Sequence, residues 1–312
     1  MILVTGGTGF IGQALIRHLL SSGQEVRTLI RPSQASLGLP RGIPVDVTLC
    51  SLKDERALVT AMSGIDTVYH LAGSERFGSR ADLLNVDIQG TKNVTAAAAE
   101  AGVRRIFYLS HLGADRASAY PVLKAKAIAE NYVRTCGVDF TIFRLGAVFG
   151  PGDHFSTNLA LLLKAFPVVC LMPGDGSSLL QPLWIDDLVT CLAWSLEDPA
   201  TCNQVFLVGG PEYLSFKQVL EAIMQVTGDR RFLVPISPVI LRGITVFTEQ
   251  TFIKFPLSVF WMDSLALNRT GPTDTLPRLF GLLPTSFGQR LDFLNERDLR
   301  KDFYQHSLVK QR

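Results

Sequence analysis

Eight residues near the start of the chain, Thr5-Gly6-Gly7-Thr8-Gly9-Phe10-Ile11-Gly12, constrain its fold more than any other segment. The apolar run Ile2–Val4 precedes them. A helical pattern with Ile11, Leu15 and Leu19 on one face follows and stops at Gly23. Gly6, Gly9 and Gly12 therefore form a G-x-x-G-x-x-G turn between a buried strand and an amphipathic helix. The first glycine allows the turn, the second lets backbone approach a ligand, and the third lets helix and strand pack closely. The N–H groups at the helix start face the same place and favour an anion. In its strand–turn–helix setting, this pattern implies a bound dinucleotide.

The rest of the first half alternates strands with helices. Val26–Ile30, Thr67–Leu71, Ile106–Leu109 and Phe140–Arg144 read as strands, and Asp87–Ala101 and Tyr120–Thr135 as helices. Continuous apolar strands, rather than alternating ones, predict a parallel sheet covered on both faces. Beyond Gly150-Pro151-Gly152, helices are expected near Thr157–Ala165 and over Asp186–Glu197, with a loop at Pro173–Gly176. Val205–Val208 reads as a late strand of the same sheet, and Ser215–Arg312 as helical with prolines. The expected fold is α/β: a doubly wound parallel sheet (a Rossmann fold) with a smaller, mostly helical C-terminal cap. The dinucleotide domain is expected over 1–155 with sheet additions from about 182–209, and the substrate-side cap over 156–181 and 210–312.

Two further features bear on chemistry. The second strand ends Leu29-Ile30-Arg31-Pro32-Ser33, with no acid where one ordinarily selects NAD. A carboxylate there repels a 2′-phosphate, whereas the Arg31 guanidinium forks onto it, so NADP is expected over NAD. Tyr120-Pro121-Val122-Leu123-Lys124 places a phenol and an ammonium four apart on one helix face, with Pro121 tolerated in the first turn and Ser118 able to cap it. An ammonium favours a neighbouring phenolate, so such a pair can move a proton on a carbonyl or alcohol oxygen while nicotinamide exchanges hydride.

Taken in order, the glycine turn, His70-Leu71-Ala72-Gly73, Asn85-Val86-Asp87, Tyr108-Leu109-Ser110, Tyr120/Lys124 and Phe149-Gly150-Pro151-Gly152-Asp153 resemble the short-chain dehydrogenase/reductase superfamily, in its extended and atypical branches. Arg31-Pro32, Ser110–Asp115 and the short spacing to Tyr120 look most like the subgroup of the complex I nucleotide-binding accessory subunit. The resemblance implies phosphate contacts from Thr8, Gly9, Phe10 and Ile11 and a 2′-phosphate contact from Arg31. It implies adenine or ribose contacts at Leu71, Ala72 and Gly73, with Leu109 at the next strand end. Lys124 would hold the ribose, Tyr120 would be the acid–base, and Leu145 and Val148 would pass beside nicotinamide. His111 stands where extended members carry a catalytic Ser or Thr, and it can donate a hydrogen bond when neutral. Cys50-Ser51-Leu52 replaces a Gly-Asp-Leu, and Leu145 a proline. The implied activity is NADP-dependent hydride transfer on a carbonyl or alcohol of an apolar small molecule. The alternatives are a non-catalytic NADP(H)-binding structural or sensing protein, and a nucleotide-sugar epimerase or dehydratase.

Composition excludes other classes. With 30 Lys+Arg against 28 Asp+Glu in 312 residues, nucleic acid has no electrostatic claim, and 47% hydrophobic residues exclude disorder. Five scattered cysteines without a CxxC pair and five isolated histidines predict reduced, mostly buried thiols and no metal site. Lys164 and Pro167 interrupt the oily stretch Leu159–Met172, and Arg242, Glu249 and Lys254 interrupt Val239–Met262, so no bilayer crossing is expected. Met1–Val4 runs straight into the glycine turn with no basic leader segment, so a cytoplasmic location is expected, with peripheral membrane contact left open. Asn85 is read as a helix cap or a water-holding residue, Asp153 as a helix start or a cleft acid, and Asp187 as an orienting or capping acid rather than a catalyst. Phe247, Phe252, Phe255, Phe260 and Trp261 read as core.

Overall fold

The computed structural model describes residues 1–32, 39, 44–74, 82–166, 168–251, 258–265 and 267–296. Ser33, Phe252, Phe255 and the charged tail beyond Glu296 lie outside them. The chain divides into two compact units: Met1–Leu145 with Ile185–Val208, and Gly146–Trp184 with Gly209–Arg312.

The first unit is built on seven strands: β1 (Ile2–Thr5), β2 (Val26–Ile30), β3 (Asp46–Leu49), β4 (Thr67–His70), β5 (Arg105–His111), β6 (Asp139–Leu145) and β7 (Gln204–Val208). All pair in parallel, in the order β7-β6-β5-β4-β1-β2-β3. This is the expected doubly wound sheet, and its strand order reverses between β1 and β4. Interior strands bury both faces, which is why β1 and β4 are buried at every position. The helices are α1 (Phe10–Ser21), α2 (Glu55–Ala61), α3 (Gln89–Glu100), α4 (Pro121–Thr135) and α5 (Ile185–Glu197). Leu58, Val94, Ala98, Ala129 and Val133 from α2, α3 and α4 join Leu3, Ile106, Tyr108 and Ile142 in one core cluster. On the opposite face α1 packs against α5, and the Tyr69 hydroxyl donates to Leu192 O at 2.8 Å.

Sequence and structure part at three places. The first is β3 with α2, which the hydrophobic periodicity does not reveal. β3 is a half-exposed edge strand, Asp-Val-Thr-Leu, whose Asp46 pairs with Arg27 at 2.6 Å, and α2 is capped by Asp54 accepting from Ala57 N. Secondly, the helix expected from Asp87 begins earlier, with a wide π turn over Leu83–Ile88 before α3, so Asn85 is exposed within it and caps nothing. Thirdly, the C-terminal region is not helical throughout. Phe232–Ile236 is a strand pairing in parallel with Val169–Pro173, ahead of helices Pro238–Thr251, Val259–Ser264 and Thr275–Phe280. In this second unit buried Asp153 accepts from Gly150 N, Ser156 Oγ and Thr157 N, starting helix Ser156–Ala165. It is a capping acid, and burial holds its carboxyl above the usual range. Cys50 and Cys191 are buried and the other three cysteines half-buried, so the thiols are less covered than expected.

Candidate active site

The strand register gathers the singled-out residues along one edge. Thr5 lies opposite Leu29 and His70, His70 opposite Tyr108, and His111 opposite Leu145. The carboxyl ends of β2, β1, β4, β5 and β6 thus present Arg31, Gly6, Leu71, His111 and Leu145 side by side. At about 4.8 Å per strand, β2 and β5 stand about 14 Å apart. The edge therefore separates an adenosine end from a chemistry end, with the glycine turn at the point where strand order reverses.

Gly6 adopts φ 72°, and a Cβ there would lie 2.7 Å from Leu71 C and 2.8 Å from Ala72 N. A Cβ on Gly12 would come 2.2 Å from Gly6 O. Both glycines are dictated by close backbone approach, the first to the loop after β4 and the third to the turn itself. Gly9 N donates to Gly6 O, and Gln13 Nε2 donates to Thr8 O, each at 3.0 Å, fixing the turn. α1 has Gly9 at its N-cap and no side-chain cap. The first-turn N–H groups, from Phe10 onward, are therefore left for a ligand. This cradle fits a pyrophosphate. Arg31 is exposed just past β2 and has no ion-pair partner among the described residues, an arrangement that suits an added phosphate.

Tyr120 is not itself helical. The proline after it disfavours the α conformation, so Tyr120 stands extended (φ −88°, ψ 119°) as N-cap, with Pro121 at the first helical position. Lys124 N still donates to Tyr120 O at 3.0 Å, which keeps the two residues adjacent. Ser118 does not cap α4; its Oγ accepts from Tyr120 N at 3.1 Å and shapes the turn before it. Tyr120 is half-buried and Lys124 exposed. His111 is the last residue of β5, half-buried, and its carbonyl accepts from Ala114 N. Leu145 is the buried last residue of β6, Leu109 is buried two residues before the end of β5, and Val148 belongs to the second unit.

A buried polar network beneath the edge was not singled out from the sequence. Thr91 Oγ1 donates to Asp87 O (2.6 Å), so it accepts from His70 Nε2 (2.9 Å); His70 Nδ1 then accepts from Thr5 Oγ1 (2.7 Å), which itself accepts from Ala72 N. One neutral tautomer satisfies every bond in that chain. Burial, reinforced by the Lys126 charge, holds the His70 imidazole down to about 3. Asp87, fully buried, accepts from Ser74 N and Oγ and lies 3.4 Å from Lys126 Nζ. Glu130 accepts from Ser110 Oγ and holds Arg144 in a two-pronged pair at 2.9 and 2.7 Å. Ser110 is thus committed to the fold, leaving His111 as the side chain at the strand tip. The signal was present in the sequence: Leu123, Lys126, Glu130 and Val133 share one helical stripe, and two of the four are charged.

A seven-stranded doubly wound sheet with a glycine cradle at its reversal point defines a dinucleotide-binding α/β protein. Residues 2–209 match the model of the NAD dependent epimerase/dehydratase family, and the chain belongs to that family. The extended short-chain dehydrogenase/reductase likeness is thereby borne out. Sterol demethylase protein B of Methylococcus capsulatus is 28% identical, the alignment covering 95% of this chain and 99% of that protein. Subunit 9 of the NADH dehydrogenase [ubiquinone] 1 alpha subcomplex, mitochondrial, of Rattus norvegicus is 27% identical over 90% of this chain and 67% of its own. Among solved structures, NADPH-dependent quinone oxidoreductase QOR2 of Escherichia coli, complexed with NADPH, superposes with a TM-score of 0.75. It is 20% identical and covers 95% of this chain and 100% of its own, a likeness of fold.

Proposed function

We propose that the chain is an NADP-dependent oxidoreductase interconverting a carbonyl and an alcohol on an apolar small molecule. The observation that carries this reading is the Tyr120/Lys124 pair at the start of α4, three strands along the edge from Arg31. Gly6, Thr8, Gly9, Phe10, Ile11 and Gly12 would hold the pyrophosphate, Arg31 the 2′-phosphate, Leu71–Gly73 the adenosine and Lys124 the ribose. NADP bound there supplies or accepts a hydride. Tyr120 gives or takes the proton at the reacting oxygen, Lys124 stabilises negative charge on the phenol oxygen, and His111 donates a hydrogen bond to the carbonyl. Leu109 and Leu145 line the reacting end. An apolar substrate agrees with the sterol in a relative's name and the quinone in a neighbour's. The family description names NAD; our preference for NADP rests on Arg31. We place the protein in the cytoplasm.

The test is NADPH oxidation against a panel of ketones, quinones and sugar nucleotides, with Tyr120→Phe beside the wild type. The substitution should lower kcat by roughly 10²–10⁴-fold and change cofactor affinity less than twofold. An unchanged kcat rejects the role of Tyr120. A second reading, NADP(H) held without turnover by a structural subunit, is favoured by His111 at the Ser/Thr position and by the complex I relative. Cofactor binding with no turnover on the whole panel would select it, and turnover on a sugar nucleotide alone would make the protein an epimerase or dehydratase.

A further inference from the structure

Burial in this chain does not follow side-chain type alone. No described helix is long and apolar enough to cross a membrane, and Phe247, expected in the core, is 67% exposed. The Asp87 carboxylate, by contrast, is fully buried, and no step of the proposed reaction uses it. A buried ion pair such as Asp87–Lys126 is often no more stabilising than apolar side chains of the same volume. What it can add is geometry, because a buried carboxylate fixes the donors that satisfy it.

Asp87 holds one loop from two directions. Its Oδ2 accepts from Ser74 N at 3.0 Å and from Ser74 Oγ at 2.6 Å. Its backbone carbonyl accepts from Thr91 Oγ1, and from there the bonds run through His70 and Thr5 Oγ1 to Ala72 N. The neighbours of Gly73 on either side thus both trace back to one residue of the π turn. Leu71 N donates to Thr5 O at 3.2 Å, so three of the four N–H groups of 71–74 are bonded within the fold. The loop also lies against the glycine turn, where a Cβ on Gly6 would come 2.7 Å from Leu71 C. A loop fixed in this way is pre-organised, and a ligand that meets it does not have to order it.

We propose that Asp87 is a positioning residue for the dinucleotide, fixing Ala72 and Ser74 so that the loop between them stands ready for the adenosine. This role rests on the adenosine reading of Leu71–Gly73 and is independent of turnover. Because NADPH and 2′,5′-ADP share the adenosine, loosening the loop weakens both by the same factor.

The test is calorimetry of the full chain with NADPH and with 2′,5′-ADP. The proteins compared are the wild type, Ser74→Ala, Ser74→Thr and the double variant Asp87→Leu with Lys126→Met. Ser74→Ala loses one bond to a charged acceptor and should weaken both ligands roughly fivefold or more, whereas Ser74→Thr keeps the hydroxyl and should stay within about twofold of the wild type. The double variant leaves neither buried charge unpaired and should weaken both roughly tenfold or more. Ser74 is only half-buried, so Ser74→Ala remains readable should the double variant not fold. Wild-type affinity in Ser74→Ala or in a folded double variant would overturn the proposal. So would a loss confined to NADPH that spares 2′,5′-ADP, or a Ser74→Thr variant as weak as Ser74→Ala. A wild type that binds neither ligand would instead overturn the adenosine reading itself, and the role of Asp87 with it.

Discussion

His70 lends itself to the sharpest stability prediction. It is fully buried, bonded at both ring nitrogens, and held neutral with its titration lowered to about 3. In the unfolded chain a histidine titrates near 6.5. Between those two values the unfolded state binds one more proton than the folded state. Stability therefore falls with decreasing pH by about 1.4 kcal/mol per unit, beginning near 6.5 and ending near 3. From pH 7 to pH 5 the loss assigned to this one ring is about 2 kcal/mol. His70→Gln keeps a donor toward Thr91 and an acceptor toward Thr5 but has no titration of its own. Urea unfolding of both proteins at pH 7, 6 and 5 isolates the effect, because every other titrating group is common to the two. The wild-type advantage over His70→Gln should shrink by about 2 kcal/mol across that range. Parallel pH profiles for the two proteins would refute the argument that burial holds this ring neutral.

Three further outcomes follow from the same geometry. Gly12→Ala drives a methyl onto Gly6 O, and overpacking of about 1–3 kcal/mol in the turn should weaken NADPH binding roughly tenfold or more by calorimetry. Wild-type affinity would show that the cradle is not the pyrophosphate site. Arg31→Ala removes a charge-assisted contact of about 1.5–3 kcal/mol, so NADPH should bind roughly tenfold to a hundredfold more weakly while NADH changes little; equal losses for both cofactors would sink the 2′-phosphate assignment. Lys126→Met leaves Asp87 buried with only its Ser74 bonds, and about 3 kcal/mol of unfolding free energy should be lost. A loss below about 1 kcal/mol would mean that the Ser74 bonds alone satisfy the carboxylate.

The parts of the fold legible in the sequence were those where local chemistry and tertiary burial agree. Ile2–Thr5 and Thr67–His70 are interior parallel strands, so both faces had to be apolar, and their positions could be read to within a residue. β3 was not legible because an edge strand buries little: Asp46 and Leu49 are exposed, and Asp46 is held by an ion pair that no periodicity announces. Phe232–Ile236 was missed for a different reason. Its five residues, Phe-Leu-Val-Pro-Ile, are apolar without alternation, and the ribbon it makes has apolar residues on both sides. At the candidate site the glycines, Arg31 and the Tyr120/Lys124 pair were legible because each occupies a fixed offset from a strand or helix end. The network under them was not, because Asp87, Lys126, Glu130 and Arg144 come from three separate elements, and only the strand register brings those elements together.

That network also separates the tasks of two lysines on one helix. Lys124 and Lys126 are two residues apart, and at 100° per residue they point about 200° away from each other. Lys124 is exposed beside Tyr120, at the edge where the strands end, whereas Lys126 turns inward to Asp87, Leu109 O and the Tyr108 ring. A cation needed for chemistry must remain free to meet a ligand. A buried cation must be neutralised within the fold, because an unpaired charge there costs several kcal/mol. Asp87 neutralises Lys126 from the π turn, and through Ser74 the same carboxylate grips the chain just beyond Leu71–Gly73. The inward lysine therefore ties α4 to the loop proposed to receive the adenosine. The wide turn that displaced the expected start of α3 is what sets Asp87 between them.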